Sequence, residues 1–231
     1  MINFIFSSIG RKLIMSLSGL FLLIFLVVHV SINLLALLSR EAYEAACAFM
    51  DTNIFVQIMV PVLALGFIVH IICSIFVTLK NQTARPVKYL VPNKAAASSW
   101  ASKNMFVLGV IVLGFLGLHF FHFWSKMQLQ HILGHDGENA YDLLVALFSQ
   151  WYFCILYIVW VIALYFHISH GFWSAFQSIG ANNSKWLPRL QLIAKIYAII
   201  ITIAFISIPV YFFFGLNNCI WIKQIALLIF D

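Results

Sequence analysis

Apolar runs of about 20 to 27 residues recur five times along this chain, and no other feature constrains its fold more. They span about 13–38, 54–79, 104–124, 150–176 and 190–215, each long enough to cross some 30 Å of hydrocarbon. Inside a bilayer every backbone N–H and C=O must find a partner within the protein, so such a run is either a helix or a barrel strand. Runs of this length are helices, because a barrel strand needs only about ten residues of alternating character. Composition agrees. The 231 residues are 64% hydrophobic and 9% charged, against roughly a quarter charged in a soluble domain. The expected fold is an all-α membrane protein: five transmembrane helices in one bundle over 1–215, followed by an apolar tail, 216–231. The tail is too short to span and is expected to lie at the interface. The first run follows a short N-terminus, shows no small-residue cleavage signature and exceeds a signal-peptide core, so it reads as a retained span.

Charge sets the expected orientation. Arg11, Lys12, Lys80, Arg85, Lys88, Lys94, Lys103, Lys185, Arg189 and Lys195 fall on one side of the membrane. Arg40, Lys126 and Lys223 fall on the other. The positive-inside rule then places the N-terminus in the cytoplasm and the C-terminus outside. It also explains the net charge of +6 without nucleic acid. All seven carboxylates, Glu41, Glu44, Asp51, Asp136, Glu138, Asp142 and Asp231, lie outside the apolar runs. That counts against a carboxylate-based ion-coupled carrier, which keeps an ionisable group within the membrane.

The connecting segments differ in character. Residues 40–51 combine helix formers with mixed polarity and predict a short interfacial helix. Residues 128–142 carry His131, His135, Asp136, Glu138 and Asp142 without a repeating ligand pattern and read as a solvated loop. The segment 80–103, with Pro86 and Pro92, reads as extended coil and a docking surface for a cytoplasmic partner. Cys47, Cys73, Cys154 and Cys219 form no C-x-x-C pair, which excludes covalent c-type haem attachment.

Four apolar runs carry histidine deep inside: His29, His70, the pair His119 and His122, and the pair His167 and His170. A single such histidine is ordinary helix-to-helix hydrogen bonding. Four helices each bearing one suggest haem, whose iron takes two axial imidazoles in electron-transfer cytochromes. Depth sorts them. At about 1.5 Å per residue, His29 and His119 lie roughly 25 Å and 24 Å from the inner edge, and His70 and His167 roughly 15 Å. His29 with His119 would hold an outer haem, and His70 with His167 an inner one. His122 lies nearer the outer edge and matches His29 less well. Gly19 and Gly109 each stand ten residues before a histidine, where a missing Cβ admits a macrocycle or another helix. Ser16, Ser18 and Trp100 lie at the inner ends, placed to hydrogen-bond haem propionates, with Lys80 or Lys103 as counter-charge.

The order and spacing of short motifs carry a resemblance over nearly all of the chain to about Gly215. They are Ser16-Leu17-Ser18-Gly19-Leu20-Phe21 leading to His29, Glu41-Ala42-Tyr43 through Phe49-Met50-Asp51, and His70. Ala101-Ser102-Lys103-Asn104-Met105 leads to His119 and Phe123-Trp124, and Phe166-His167-Ile168-Ser169-His170-Gly171-Phe172 completes the set. The chain resembles the single-anchor, five-helix, diheme cytochrome b subunits of the succinate dehydrogenase and fumarate reductase family. That resemblance implies two b haems on His29, His70, His119 and His167. It implies a quinone substrate, menaquinone being the expected one, near the outer face, with Asp51 in the region of a quinone-contacting carboxylate. It also implies a bacterial cytoplasmic-membrane complex with an FAD-containing flavoprotein and an iron–sulfur subunit on the cytoplasmic side, compatible with a dimer of the whole complex. Dicarboxylate chemistry belongs to those partners; this chain passes electrons between the iron–sulfur subunit and quinone. The family pattern has an acid in some members where this chain has Tyr165. The alternatives are a haem b subunit of a hydrogenase or formate dehydrogenase, or a non-redox membrane anchor or carrier.

Overall fold

A computed structural model describes residues 7–83, 100–181 and 183–215. Helix α1 (Ser8–Leu38) starts where the Ser7 side chain accepts a hydrogen bond from the Gly10 N–H at 2.9 Å. It begins five residues earlier than expected and carries Arg11 and Lys12 within its first turns. Single extended residues, Ser39 and Asn53, separate α1 from α2 (Arg40–Thr52) and α2 from α3 (Ile54–Thr83). Both cap the helix that follows: Ser39 Oγ accepts from Ala42 N–H, and Asn53 Oδ1 from Phe55 N–H. One non-helical residue leaves little slack, so α2 folds over the end of the bundle. The short helix expected over 40–51 is therefore present.

After α4 (Trp100–Lys103), α5 (Met105–His119) runs into a π-helical turn, Phe120–Trp124, closed by Ser125 N–H on Phe120 C=O at 2.8 Å. Then come α6 (Gln128–Ile132), α7 (Ala140–Phe148), α8 (Trp151–Ser178) and α9 (Trp186–Phe213). Five helices, α1, α3, α5 with its π turn, α8 and α9, are long and apolar enough to cross a membrane. There is no strand among the described residues. The all-α, five-span expectation is borne out. The tail 216–231 and most of the loop 80–103 lie outside the described residues.

The expectation of a solvated loop over 128–142 holds for 133–139, which is non-helical and almost wholly exposed, with His131, His135, Asp136, Glu138 and Asp142 all at the surface, but it misses the helices on either side. Residues Gln128–Ile132 are helical, and α7 is a buried helix whose Tyr141, Leu143, Leu144 and Phe148 are at most 8% exposed. Asn139 caps it, accepting from the Tyr141 and Asp142 N–H groups, and Asp142 sits favourably in its first turn. At nine residues α7 is too short to span, so its apolar pattern merges with the flank of the next run.

Packing follows residue size. Helix α9 lies along α8 and α1 on a small-residue seam, with Ala194 and Ala198 wholly buried, and the Tyr197 hydroxyl donates to Leu23 C=O at 2.6 Å. Helix α3 packs on α1, and α5 on α8. At one end, hereafter the capped end, Ala36, Tyr43, Tyr141, Leu144, Phe148, Tyr157, Ile208 and Phe212 form one cluster beneath α2 and α7. The other end is where α1 begins.

Candidate haem and quinone site

Four spans converge their histidines in two tiers. In the upper tier, toward the capped end, His29 of α1 faces His119 of α5 with ring centroids 5.8 Å apart and planes at 87°. In the lower tier, His70 of α3 faces His167 of α8 at 6.5 Å and 74°. Two nitrogens each about 2 Å from a shared iron put their ring centroids about 6 Å apart, so both spacings suit a bis-imidazole haem. All four rings stay only half-buried although they lie mid-bundle. Among the described residues the Nδ1 atoms of His119, His167 and also His170 are buried without a hydrogen-bond partner, an uncommon state for buried polar atoms.

The lower tier has a built surround. His70 Nδ1 lies 3.3 Å from Met15 C=O and 3.4 Å from Ser18 Oγ. Donation to the carbonyl fixes the tautomer that leaves Nε2 free as a ligand, as in metal-bound histidines generally. A Cβ on Gly19 would come within 3.2 Å of His70 Cε1, and one on Gly109 within 3.7 Å of His167 Cε1. Each glycine thus serves the tier below the histidine ten residues on. The upper tier is wrapped in aromatic rings: Phe25 and Phe205 beside His29, and Phe123, Tyr157 and Trp160 beside His119.

The remaining sequence candidates separate. His122 turns from His29 and hydrogen-bonds Tyr157 through Nδ1 at 3.0 Å. His170 stacks edge-on against Trp173. Ser16 is buried near the start of α1, 4% exposed. A cleft of about 360 Å³ opens at the same end, lined by Lys12, Met15, Val77, Ser174, Gln177 and Ser178 and not by Ser16 itself. Trp100 is 61% exposed and packs its edge on Phe166. Lys12 and the α8 residues Ser174 and Ser178, which no motif singled out, offer the charge and hydroxyls at that end.

Asp51 ends α2 at the capped end and accepts from Gln128 Nε2 at 2.7 Å. It lines a cleft of about 210 Å³ with Glu44, Cys47, His131, Glu138 and Asn139. Arg40 binds both Asp142 oxygens at 2.9 Å and Glu44 at 2.8 Å, tying α2 to α7. Its hydrogen bond to Asp142 raises the guanidinium pKa, and burial pushes the Cys47 thiol up. Among the described residues no group of three His, Cys, Asp or Glu side chains could hold a metal ion; a haem iron bound by two imidazoles needs no such group.

Fold and geometry together define a class: a multi-pass helical membrane protein with two stacked pairs of facing imidazoles. Within it, the chain is similar to the succinate dehydrogenase cytochrome b558 subunit of Bacillus subtilis (strain 168). The two are 26% identical over 186 residues, covering 78% of this chain and 83% of that protein. The resemblance drawn from the motifs is thus borne out, and the chain is a multi-pass protein of the bacterial inner membrane. No family model matches the chain, and no solved structure does.

Proposed function

We propose that this chain is the diheme membrane anchor of a succinate:quinone oxidoreductase, a succinate dehydrogenase or fumarate reductase. The observation that carries the reading is the pairing of four histidines from four spans at two depths, supported by the cytochrome b558 relative. His29 and His119 hold the haem nearer the outside, and His70 and His167 the haem nearer the cytoplasm. Bound b-type haem supplies one-electron transfer across the bilayer. The chain's own residues do the rest. Met15 and Ser18 orient His70, Gly19 and Gly109 leave room beside the lower tier, and Lys12 in the cleft at the cytoplasmic end, with the buried Ser16 one turn on, would receive the propionates.

The end where α1 begins is cytoplasmic, following the basic residues, and is the docking face for an iron–sulfur subunit and its FAD-bearing flavoprotein. Quinone, menaquinone in this reading, takes up two electrons and two protons near the outer face, where the exposed Asp51 exchanges protons with solvent. Purification of the intact complex tests the proposal. A covalent-flavin subunit should co-purify with a chain whose reduced-minus-oxidised spectrum is b-type. Recovery with a hydrogenase or formate dehydrogenase instead, or no haem spectrum, contradicts it.

A further inference from the structure

A quinone site must meet several demands at once. The ring is flat and apolar, so its walls must be apolar or aromatic. Each carbonyl oxygen needs a donor, the entrance must face lipid, and the ring must lie close to the outer haem ligands. The Asp51 cleft meets few of these. Glu44, Asp51 and Glu138 line it beside His131 and the amides of Gln128 and Asn139, which donate to Asp51 and Glu44; an ionised carboxylate accepts but cannot donate to a carbonyl, and an apolar ring there would strip hydration from charges. A second place, between the π turn and α8, offers aromatic walls and one donor close to the upper tier.

In a regular helix His122, three residues after His119, would share its face. The wide turn over Phe120–Trp124 ends the span, and His119 and His122 both pack on Tyr157, His122 the closer of the two. His122 is set over Tyr157, with ring centroids 5.9 Å apart and nearly parallel at 28°. Phe153 meets it edge-on at 4.8 Å, and Phe121 flanks it at 5.8 Å. The hydroxyl of Tyr157 lies 3.0 Å from Nδ1. In the tautomer where the hydroxyl donates to Nδ1, the ring proton sits on Nε2 and the half-buried imidazole carries an N–H donor beside the aromatic wall. On the side of the π turn the surroundings are exposed: Phe121, next to His122, is 67% exposed. Tyr157, buried, also packs edge-on to His119 at 6.5 Å. A ring held at His122 would lie one side chain from the upper tier.

We infer that His122, oriented by Tyr157, is the hydrogen-bond donor that binds a quinone carbonyl oxygen in an aromatic niche between the π turn and α8. This rests on the quinone-linked reading above. Tyr157 is a positioning residue, acting through His122, and Asp51 serves proton exchange from a separate cleft.

The test uses the intact complex with a short-chain menaquinone analogue, comparing wild type with His122→Phe, His122→Gln, Tyr157→Phe and Asp51→Asn. One lost hydrogen bond to a neutral acceptor corresponds to about a tenfold loss of affinity. His122→Phe is expected to raise KM for the analogue about tenfold and lower kcat less, with two haems retained. Glutamine keeps a donor and should recover part of that loss; Tyr157→Phe should raise KM by a smaller factor of about three. Unchanged KM in His122→Phe, or a rise confined to Asp51→Asn, overturns the inference. Loss of the outer haem in His122→Phe also overturns it, by making His122 an iron ligand. A wild-type complex without b-type spectrum or quinone-dependent turnover would instead sink the underlying functional reading.

Discussion

At the scale of single residues, the two tiers make separable predictions. His167→Ala should remove the lower haem and leave the upper, halving the haem content per chain. His170→Ala should keep both haems, because His170 faces Trp173. Haem assay of the purified variants checks both, and loss of a haem only in His170→Ala would reverse the assignment. Gly19→Leu should act like His167→Ala, since even a Cβ there would press on the His70 ring at 3.2 Å. The pairing was legible from spacing alone, because a helix rises uniformly and converts residue counts to depth. The role of the glycines was only half legible. Their spacing from His29 and His119 was visible, but which histidine each one faces depends on how neighbouring helices are rotated. The hydrogen bonds of His70 to Met15 and Ser18 were hidden for the same reason.

At the scale of elements, the capped end is packed around α7, while 133–139 stays an exposed loop. Leu144 is 3% exposed within the cluster that joins α7, α8 and α9. Leu144→Ala should cost about 2–5 kcal/mol, read as a lower unfolding midpoint of the solubilised protein. Arg40→Ala, in an ion pair whose partners are 45% and 58% exposed, should lower that midpoint far less, and less still at high salt. Deleting Phe121 should regularise the π turn. His119 precedes the turn and should keep the upper haem, while His122 loses Tyr157 and quinone KM rises; loss of that haem would contradict the local account of the turn. Neither α7 nor the π turn was read from the sequence. Helix α7 has a cap and an acidic first turn, signals that were present but masked by the apolar run beginning two residues after it. The π turn has no such signal, since Phe120-Phe121-His122-Phe123-Trp124 would fit an α-helix equally well.

At the scale of the whole molecule, five spans were legible because lipid forces every backbone group to be satisfied internally. The arrangement of the helices around the histidines was not, since apolar side chains cover all faces and mark no stripe. Sidedness is testable directly. In a cysteine-free background, Glu138→Cys should react with an impermeant thiol reagent added outside whole cells, and Lys80→Cys only after the membrane is opened. The reverse pattern would invert the bundle and move the partner face to the other side. That facing histidines on four spans hold two haems is read out by the haem-to-chain ratio of the wild-type complex, taken with its reduced-minus-oxidised spectrum. B-type bands and about two haems per chain are expected; a chain with one haem or no Soret absorbance would contradict the pairing.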